Sequence, residues 1–258
     1  MRIKLTNSFL GRKAVLVVLS IAATAVTAYA DPVLVNGNFE QTLTPNSSEF
    51  GDRYPSQQVT GWSTDGYNFV FTPGTADTTG AANENGSIPV ALWGPGNGSA
   101  NGLTSSPAGG NFLALDGAYM TGALTQIVTG LTPGQATTLS FYYAGAQQYG
   151  YDGATTEQLE VSLGSQSLFT PVLDDPSHGF TGWQAESLTF TPTSTSEVLT
   201  FLAIGTPDGL PPMTLLDGVS FAGGSVTGVT PEPASLVLLG TGLAGLGGIV
   251  RSRLKRRA

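Results

Sequence analysis

Thr138-Leu139-Ser140-Phe141-Tyr142-Tyr143 is the stretch that sets the fold class. Leu139, Phe141 and Tyr143 share one side of an extended chain, and Thr138, Ser140 and Tyr142 share the other. Period two with one apolar face marks a half-buried strand, whereas a helix repeats its apolar residues every three or four positions. The pattern returns along the chain. Leu159, Val161 and Leu163 alternate with Gln158, Glu160 and Ser162. Leu188 with Phe190, then Leu199, Phe201 and Ala203, then Val219 with Phe221, repeat it. Thr132-Pro133-Gly134, Thr191-Pro192, Pro207-Asp208-Gly209 and Asp217-Gly218 supply turn signals between these runs. Many short strands with this punctuation predict an all-β protein, an antiparallel β-sandwich of jelly-roll type.

Residues 63–110 break the rhythm. They hold Gly94-Pro95-Gly96-Asn97-Gly98 and Ser105-Ser106-Pro107-Ala108-Gly109-Gly110, and only Asn68 to Thr72 reads as a strand. The rest reads as a Gly-rich insertion of long loops, a kind of segment that is often functional or mobile. Asp174 and Asp175, ahead of Pro176-Ser177-His178-Gly179, read as a solvated turn in a loop. Residues 222–230 read as a flexible linker, and no internal repeat calls for a solenoid. The sandwich domain is thus expected over residues 31–221.

Both ends differ from this body. Arg2, Lys4, Arg12 and Lys13 precede an apolar run from Ala14 to Ala28, and Ala28 and Ala30 are small residues where a signal peptidase would cut. The run has no polar face, which argues against an amphipathic helix packed on a core. Residues 1–30 therefore read as a signal peptide. At the other end Pro231-Glu232-Pro233 precedes an apolar run at 234–250 and a basic tail at 251–257. As a helix that run spans roughly 25 Å, slightly less than a hydrocarbon core of about 30 Å. The cations behind it would stay on the cytoplasmic face.

The order Pro231-Glu232-Pro233, transmembrane helix, Arg-rich end resembles the PEP-CTERM sorting signal of Gram-negative bacteria. The resemblance implies a fate: anchoring in the inner membrane, cleavage near Pro231 by an exosortase (a membrane-embedded cysteine protease), and transfer to the cell surface or matrix. Bacteria with this system tend to make exopolysaccharide. Pro231 and Pro233 lack amide donors and hold the segment extended, as a protease substrate needs to be.

Charge narrows the partners. Nine of the ten basic residues lie in the terminal segments, so Arg53 alone faces seventeen acidic residues in the body, a formal balance of −16. Nucleic acid is excluded as a partner because no cationic patch exists to displace its counterions. Anionic headgroups are disfavoured too, which leaves membrane contact to the terminal segments. Neutral polymers, divalent cations and cationic partners remain, as does plain solubility. The absence of cysteine excludes disulfides, thiolate metal sites and cysteine nucleophiles.

Four groups of residues recur in order along the body: Val35-Asn36-Gly37-Asn38-Phe39-Glu40 with Gly61-Trp62; Gly110 to Gly117 leading to Leu124-Thr125-Gln126; Gly130 to Gly134 with the strand ending at Tyr143; and Trp183, Leu188 to Phe190 and Leu215 to Val219. Together they resemble the galactose-binding-like β-sandwich of bacterial surface proteins and carbohydrate-binding modules. The resemblance implies a structural calcium held by Glu40 and Asp217, with Asn38 and Asp116 as helpers. Carboxylates and carbonyls are the hard oxygen ligands that calcium takes. The family's last motif has two consecutive acids, whereas this chain has Asp217-Gly218; a turn at Asp217-Gly218 and a solvated Glu40 form the alternative. Trp62 and Trp183 match positions that are usually core. Trp93 in the insertion, with Tyr149 and Tyr151 in the Gln147 to Asp152 loop, are the candidate sugar-stacking residues.

Catalysis finds little support. His178 is the only histidine, no Gly-x-Ser-x-Gly elbow is present, and a zinc hydrolase needs more histidines at set spacing. The expectation is an exported, surface-sorted, non-enzymatic protein of the extracellular matrix that binds or embeds in exopolysaccharide. A structural or adhesive surface protein without a specific ligand is the alternative, and a glycoside-active enzyme working through paired carboxylates is a third reading.

Overall fold

The computed structural model describes residues 31–86 and 88–222. The expected signal peptide with Ala28 and Ala30, the linker beyond residue 222, and the Pro231-Glu232-Pro233 segment with its helix and basic tail lie outside the described residues. Among those residues the chain forms eleven strands: β1 (Ser48–Glu49), β2 (Asn68–Phe71), β3 (Phe112–Asp116), β4 (Leu124–Thr129), β5 (Thr137–Gln147), β6 (Thr155–Leu163), β7 (Gln166–Phe169), β8 (Leu173–Asp175), β9 (Gln184–Phe190), β10 (Ser196–Thr206) and β11 (Pro212–Phe221). Six form one sheet in the order β1-β2-β3-β11-β5-β9; β4-β10-β6-β7 form the second, with β8 also paired to β6. Every pairing between these strands is antiparallel. The protein is an all-β antiparallel sandwich, as the alternation predicts.

The inner faces meet in a dry core. Leu139, Phe141 and Tyr143 of β5 pack with Leu159, Val161 and Leu163 of β6 and Leu199 and Phe201 of β10. Each such side chain stabilises the fold by about 1.5–3 kcal/mol when buried. Trp62 is core, as expected: its ring lies 5.5 Å from that of Phe39 and 6.1 Å from Phe201, and its Nε1 donates to the Asn36 carbonyl at 3.0 Å.

A second core covers the outer face of the six-stranded sheet. Ala76, Ala81, Val90 and Leu92 of the insertion pack on Phe69, Phe71, Phe112, Met213 and Leu215. β3 is therefore buried on both faces, which explains its unbroken Phe112-Leu113-Ala114-Leu115 run. The insertion is irregular in backbone, as its glycines suggest, yet it is the third layer of the molecule. Trp183 sits at the edge of this layer and donates its Nε1 to the Thr104 carbonyl at 3.2 Å.

Two local expectations are corrected. Asp217-Gly218 is not a turn between strands: β11 runs through it, with a register shift against β5 between Asp217 and Ser220. Gly218 adopts a left-handed φ of 63°, which marks a β-bulge. A Cβ there would lie 3.0 Å from Ala108 Cβ and 3.1 Å from the Tyr142 ring, so a second acid beside Asp217 has no room. Asp174 and Asp175 are not a solvated turn. They end β8, and the alternation of that strand leaves Asp174 exposed while burying Asp175 to 1 % exposure.

Candidate functional site

Antiparallel pairing gathers several strand ends at one pole of the sandwich. Asn68 of β2 lies opposite Leu115 of β3, Asp116 opposite Met213 of β11, and Pro212 opposite Gln147 of β5. The loops that follow β3, β5 and β10 thus emerge together. With Tyr67 ahead of β2 and Asn85 of the insertion they enclose a cleft of about 220 Å³, also lined by Tyr119 and Tyr151, with Asp116 and Gln148 supplying further polar groups.

Asp116 builds this cleft. Its Oδ1 accepts the amides of Ala118 and Tyr119, and its Oδ2 accepts that of Met120, at 2.9–3.1 Å. Its own amide donates to Asn68 Oδ1 at 3.1 Å. The carboxylate pins the loop that carries Tyr119, an exposed ring standing edge-on to Tyr67 at 5.9 Å. Burial pushes the Tyr67 hydroxyl up to about 12, with the charges of Glu49 and Asp116 and the neighbouring Tyr119 and Tyr151 adding to it. This phenol is a neutral hydrogen-bonding group at any physiological pH.

The three residues expected to stack on sugar come together beside this cleft, but only Tyr151 lines it. The Trp93 indole is stacked on His178 at 3.8 Å and 25°, and meets Tyr149 edge-on at 4.6 Å. Its Nε1 donates to the Tyr151 carbonyl at 2.9 Å, and His178 Nε2 pairs with Asp152. The insertion therefore uses Trp93 to brace the Tyr149–Asp152 loop rather than presenting it as a lone exposed ring. Tyr151 faces the cleft, and Tyr149 lies outside its lining. Tyr67 and Tyr119 were not singled out from the sequence, since isolated tyrosines in loops carry no pattern of their own.

The residues expected around calcium do not all converge. Glu40 and Asp217 lie close enough for the Glu40 charge to act on Asp217. Glu40 Oε1 accepts the Asn111 amide at 2.7 Å, and Asn111 Nδ2 donates to the Phe39 carbonyl at 3.1 Å. Asp217 is fully buried; its Oδ1 accepts the Gly218 amide at 2.6 Å, and its Oδ2 has no partner among the described residues. Burial pushes Asp217 up to about 7, partly offset by the nearby Ser106 hydroxyl and the Gly218 amide. Asn38 is exposed. Asp116 faces Met213, four residues from Asp217 along β11, or roughly 13 Å at strand spacing. The orphaned oxygen of Asp217 suits a hard cation, while Asp116 belongs to the cleft. No group of three or more Asp, Glu or His side chains with metal-binding geometry occurs among the described residues.

No curated protein matches the chain in sequence. Among solved structures it is similar to the carbohydrate-binding module TmCBM61 in complex with β-1,4-galactotriose, at 15 % identity and TM-score 0.35, covering 73 % of this chain and 96 % of that one. It is also similar to the CBM22-1 xylan-binding domain of Xyn10C from Paenibacillus barcinonensis, at 10 % identity and TM-score 0.32, covering 73 % and 96 %. The enzymatically active domain of tailspike protein 4 from bacteriophage CBA120 matches at 14 % identity and TM-score 0.33, covering 75 % of this chain and 21 % of that one. The C-terminal tripartite pattern is matched directly: residues 229–254 carry the PEP-CTERM protein-sorting motif, which marks the chain as an exported protein processed by an exosortase.

Proposed function

We propose that the exported body is a non-catalytic carbohydrate-binding domain of the extracellular matrix, taking neutral exopolysaccharide in the Tyr67–Tyr119–Tyr151 cleft. The observation that carries this reading is the convergence of three tyrosines with Gln148 and Asn85 at one pole. Aromatic rings cover the apolar faces of pyranoses while amides read hydroxyls. The acid in the cleft is a poor candidate for acid–base chemistry, because both oxygens of Asp116 already accept backbone amides. The formal charge of −16 over the body disfavours anionic polymers. In this account a signal peptidase cuts after Ala30, the exosortase cuts near Pro231, and the product resides at the surface of a Gram-negative cell.

Retention of the purified full-length chain in gels containing neutral exopolysaccharide tests the cleft. Tyr119→Ala or Tyr151→Ala should each weaken binding roughly threefold to tenfold, the loss of about 0.5–1.5 kcal/mol per ring. Melting should be unchanged, and the Trp93 bond to the backbone of residue 151 survives either change. No retention of a well-folded chain would favour a structural surface protein, and release of reducing sugar would make it an enzyme.

Calcium between Glu40 and Asp217 is part of the same proposal, supported by the buried, unpartnered Asp217 Oδ2. The melting midpoint should rise with calcium over chelator by an amount reduced in a Glu40→Gln/Asp217→Asn variant. An unchanged rise would remove this site from the account.

A further inference from the structure

A second acidic site lies between the sheets. The alternation that turns Leu159, Val161 and Leu163 of β6 inward also turns Glu157 and Thr155 inward. Asp175 of β8 is the cross-strand partner of Thr155 and joins them from the same sheet. Gly145 of β5 and Thr214 of β11 are paired with each other and face this group from the opposite sheet. Glu157 is fully buried, and Asp175 nearly so.

The hydrogen bonding here is incomplete. Glu157 Oε1 accepts the Thr155 hydroxyl at 2.5 Å. Glu157 Oε2, both oxygens of Asp175 and the Thr214 hydroxyl are buried without partners among the described residues. Two glycines give these carboxylates their room. A Cβ on Gly145 would lie 2.5 Å from Glu157 Oε2, and one on Gly179 would lie 2.0 Å from Asp175 Oδ1. Burying two carboxylates without counter-charge is costly. The only cation of the body, Arg53, is engaged by Glu49 and Glu84. Neither carboxylate has a counter-charge within the body, so neutralisation falls to protons or to a cation bound from solution.

We infer that Glu157 and Asp175 hold a calcium ion between the sheets, with the hydroxyls of Thr155 and Thr214 beside it. All donors are oxygens, which selects a hard cation. The irregular, partly hydroxylic surroundings suit the flexible shell of calcium better than the octahedron of magnesium. A crevice of about 330 Å³ lined by Thr155, Asp174, Asp175, Thr206 and Pro207 opens to solvent beside Asp175. The site is separate from Glu40–Asp217. Asp217 shares the outward-facing parity of Met213 and Leu215, whereas Glu157 faces the inner core.

Calorimetric titration of the chelator-stripped full-length chain, in mild detergent, tests the inference. In the Glu40→Gln/Asp217→Asn background, calcium chloride should still titrate and still raise the melting midpoint. Adding Glu157→Gln and Asp175→Asn should lower the stoichiometry by one ion and abolish that rise. Unchanged stoichiometry in a folded chain would overturn the inference and assign the pocket to protons or water. If the amide variants fail to fold, crystals of the unmodified chain soaked in terbium decide instead. An anomalous peak between Glu157 and Asp175 supports the site, and its absence overturns it.

Discussion

Glu49 and Glu157 are equally buried, yet the fold answers them differently. Glu49 ends β1 and meets the chain's own cation: Arg53 Nε lies 3.5 Å from its Oε1, the Arg53 guanidinium also pairs with Glu84, and the Glu84 amide donates to Glu49 Oε2 at 2.9 Å. Glu157 has a neighbouring hydroxyl on one oxygen, nothing on the other, and a second buried acid close by. Both are pushed above the ordinary carboxylate range by burial; at Glu49 the arginine pulls back against that push, while at Glu157 the charges of Asp175 and Asp174 add to it. Asp116 shows a third solution, in which three backbone amides serve. A chain without lysine in its body can bury a carboxylate by any of these means, and Glu157 is the one left without an internal counter-charge.

Removing the internal counter-charge should break the contrast most severely. Arg53→Met leaves Glu49 buried with only the Glu84 amide, a change expected to cost about 3 kcal/mol in urea unfolding, the low end for a broken buried pair because Arg53 is partly exposed. The double variant Glu49→Gln/Arg53→Met should recover most of that loss, and no recovery would show that Arg53 acts through packing alone. Gly145→Ala should cost less, about 1–3 kcal/mol, because the added methyl meets Glu157 Oε2. It should also diminish the calcium response of the inter-sheet pocket, whereas Gly74→Ala, strained by its left-handed φ of 74° but with its methyl in open space, should leave that response intact.

The sharpest effect is in pH dependence with calcium chelated. Burial pushes Glu157 up to about 8 and Asp175 up to about 7, from ordinary values of 4.5 and 3.8. Between the lower and upper values the folded chain binds more protons than the unfolded one, so stability falls as pH rises. Their contribution is fully present below about pH 4 and is lost as pH passes 7 to 8. Glu157→Gln should flatten the upper part of this decline in chemical denaturation followed across pH. A decline unaffected by the substitution would place the linked protons elsewhere, with Asp217 next to be examined.

Much of the sandwich was legible because burial on one face imposes period two. β5, β6, β9 and β10 each contain the alternating run that predicts them, lengthened at their ends. β3 was harder to read because the insertion covers its outer face, leaving an unbroken apolar run that no alternation identifies. Glu157 shows how close the sequence came. Extending the inward parity of Leu163, Val161 and Leu159 by one step reaches it, but a carboxylate at that step reads as the strand's end rather than its interior. The pairing of Asp217-Gly218 with a bulge was beyond local reading, since Asp-Gly serves turns and bulges equally.

The sequence by itself determined that the body is all-β, that it is acidic with a single cation, and that its end carries a sorting motif, because alternation, charge count and a linear tripartite signal are properties of neighbours in the chain. Only the tertiary structure decided which acids are buried, which of them Arg53 reaches, and which tyrosines share a cleft. Those outcomes depend on strand ends and loops brought together from distant positions by the ladders of two sheets, and residues so far apart in sequence carry no local sign of their meeting.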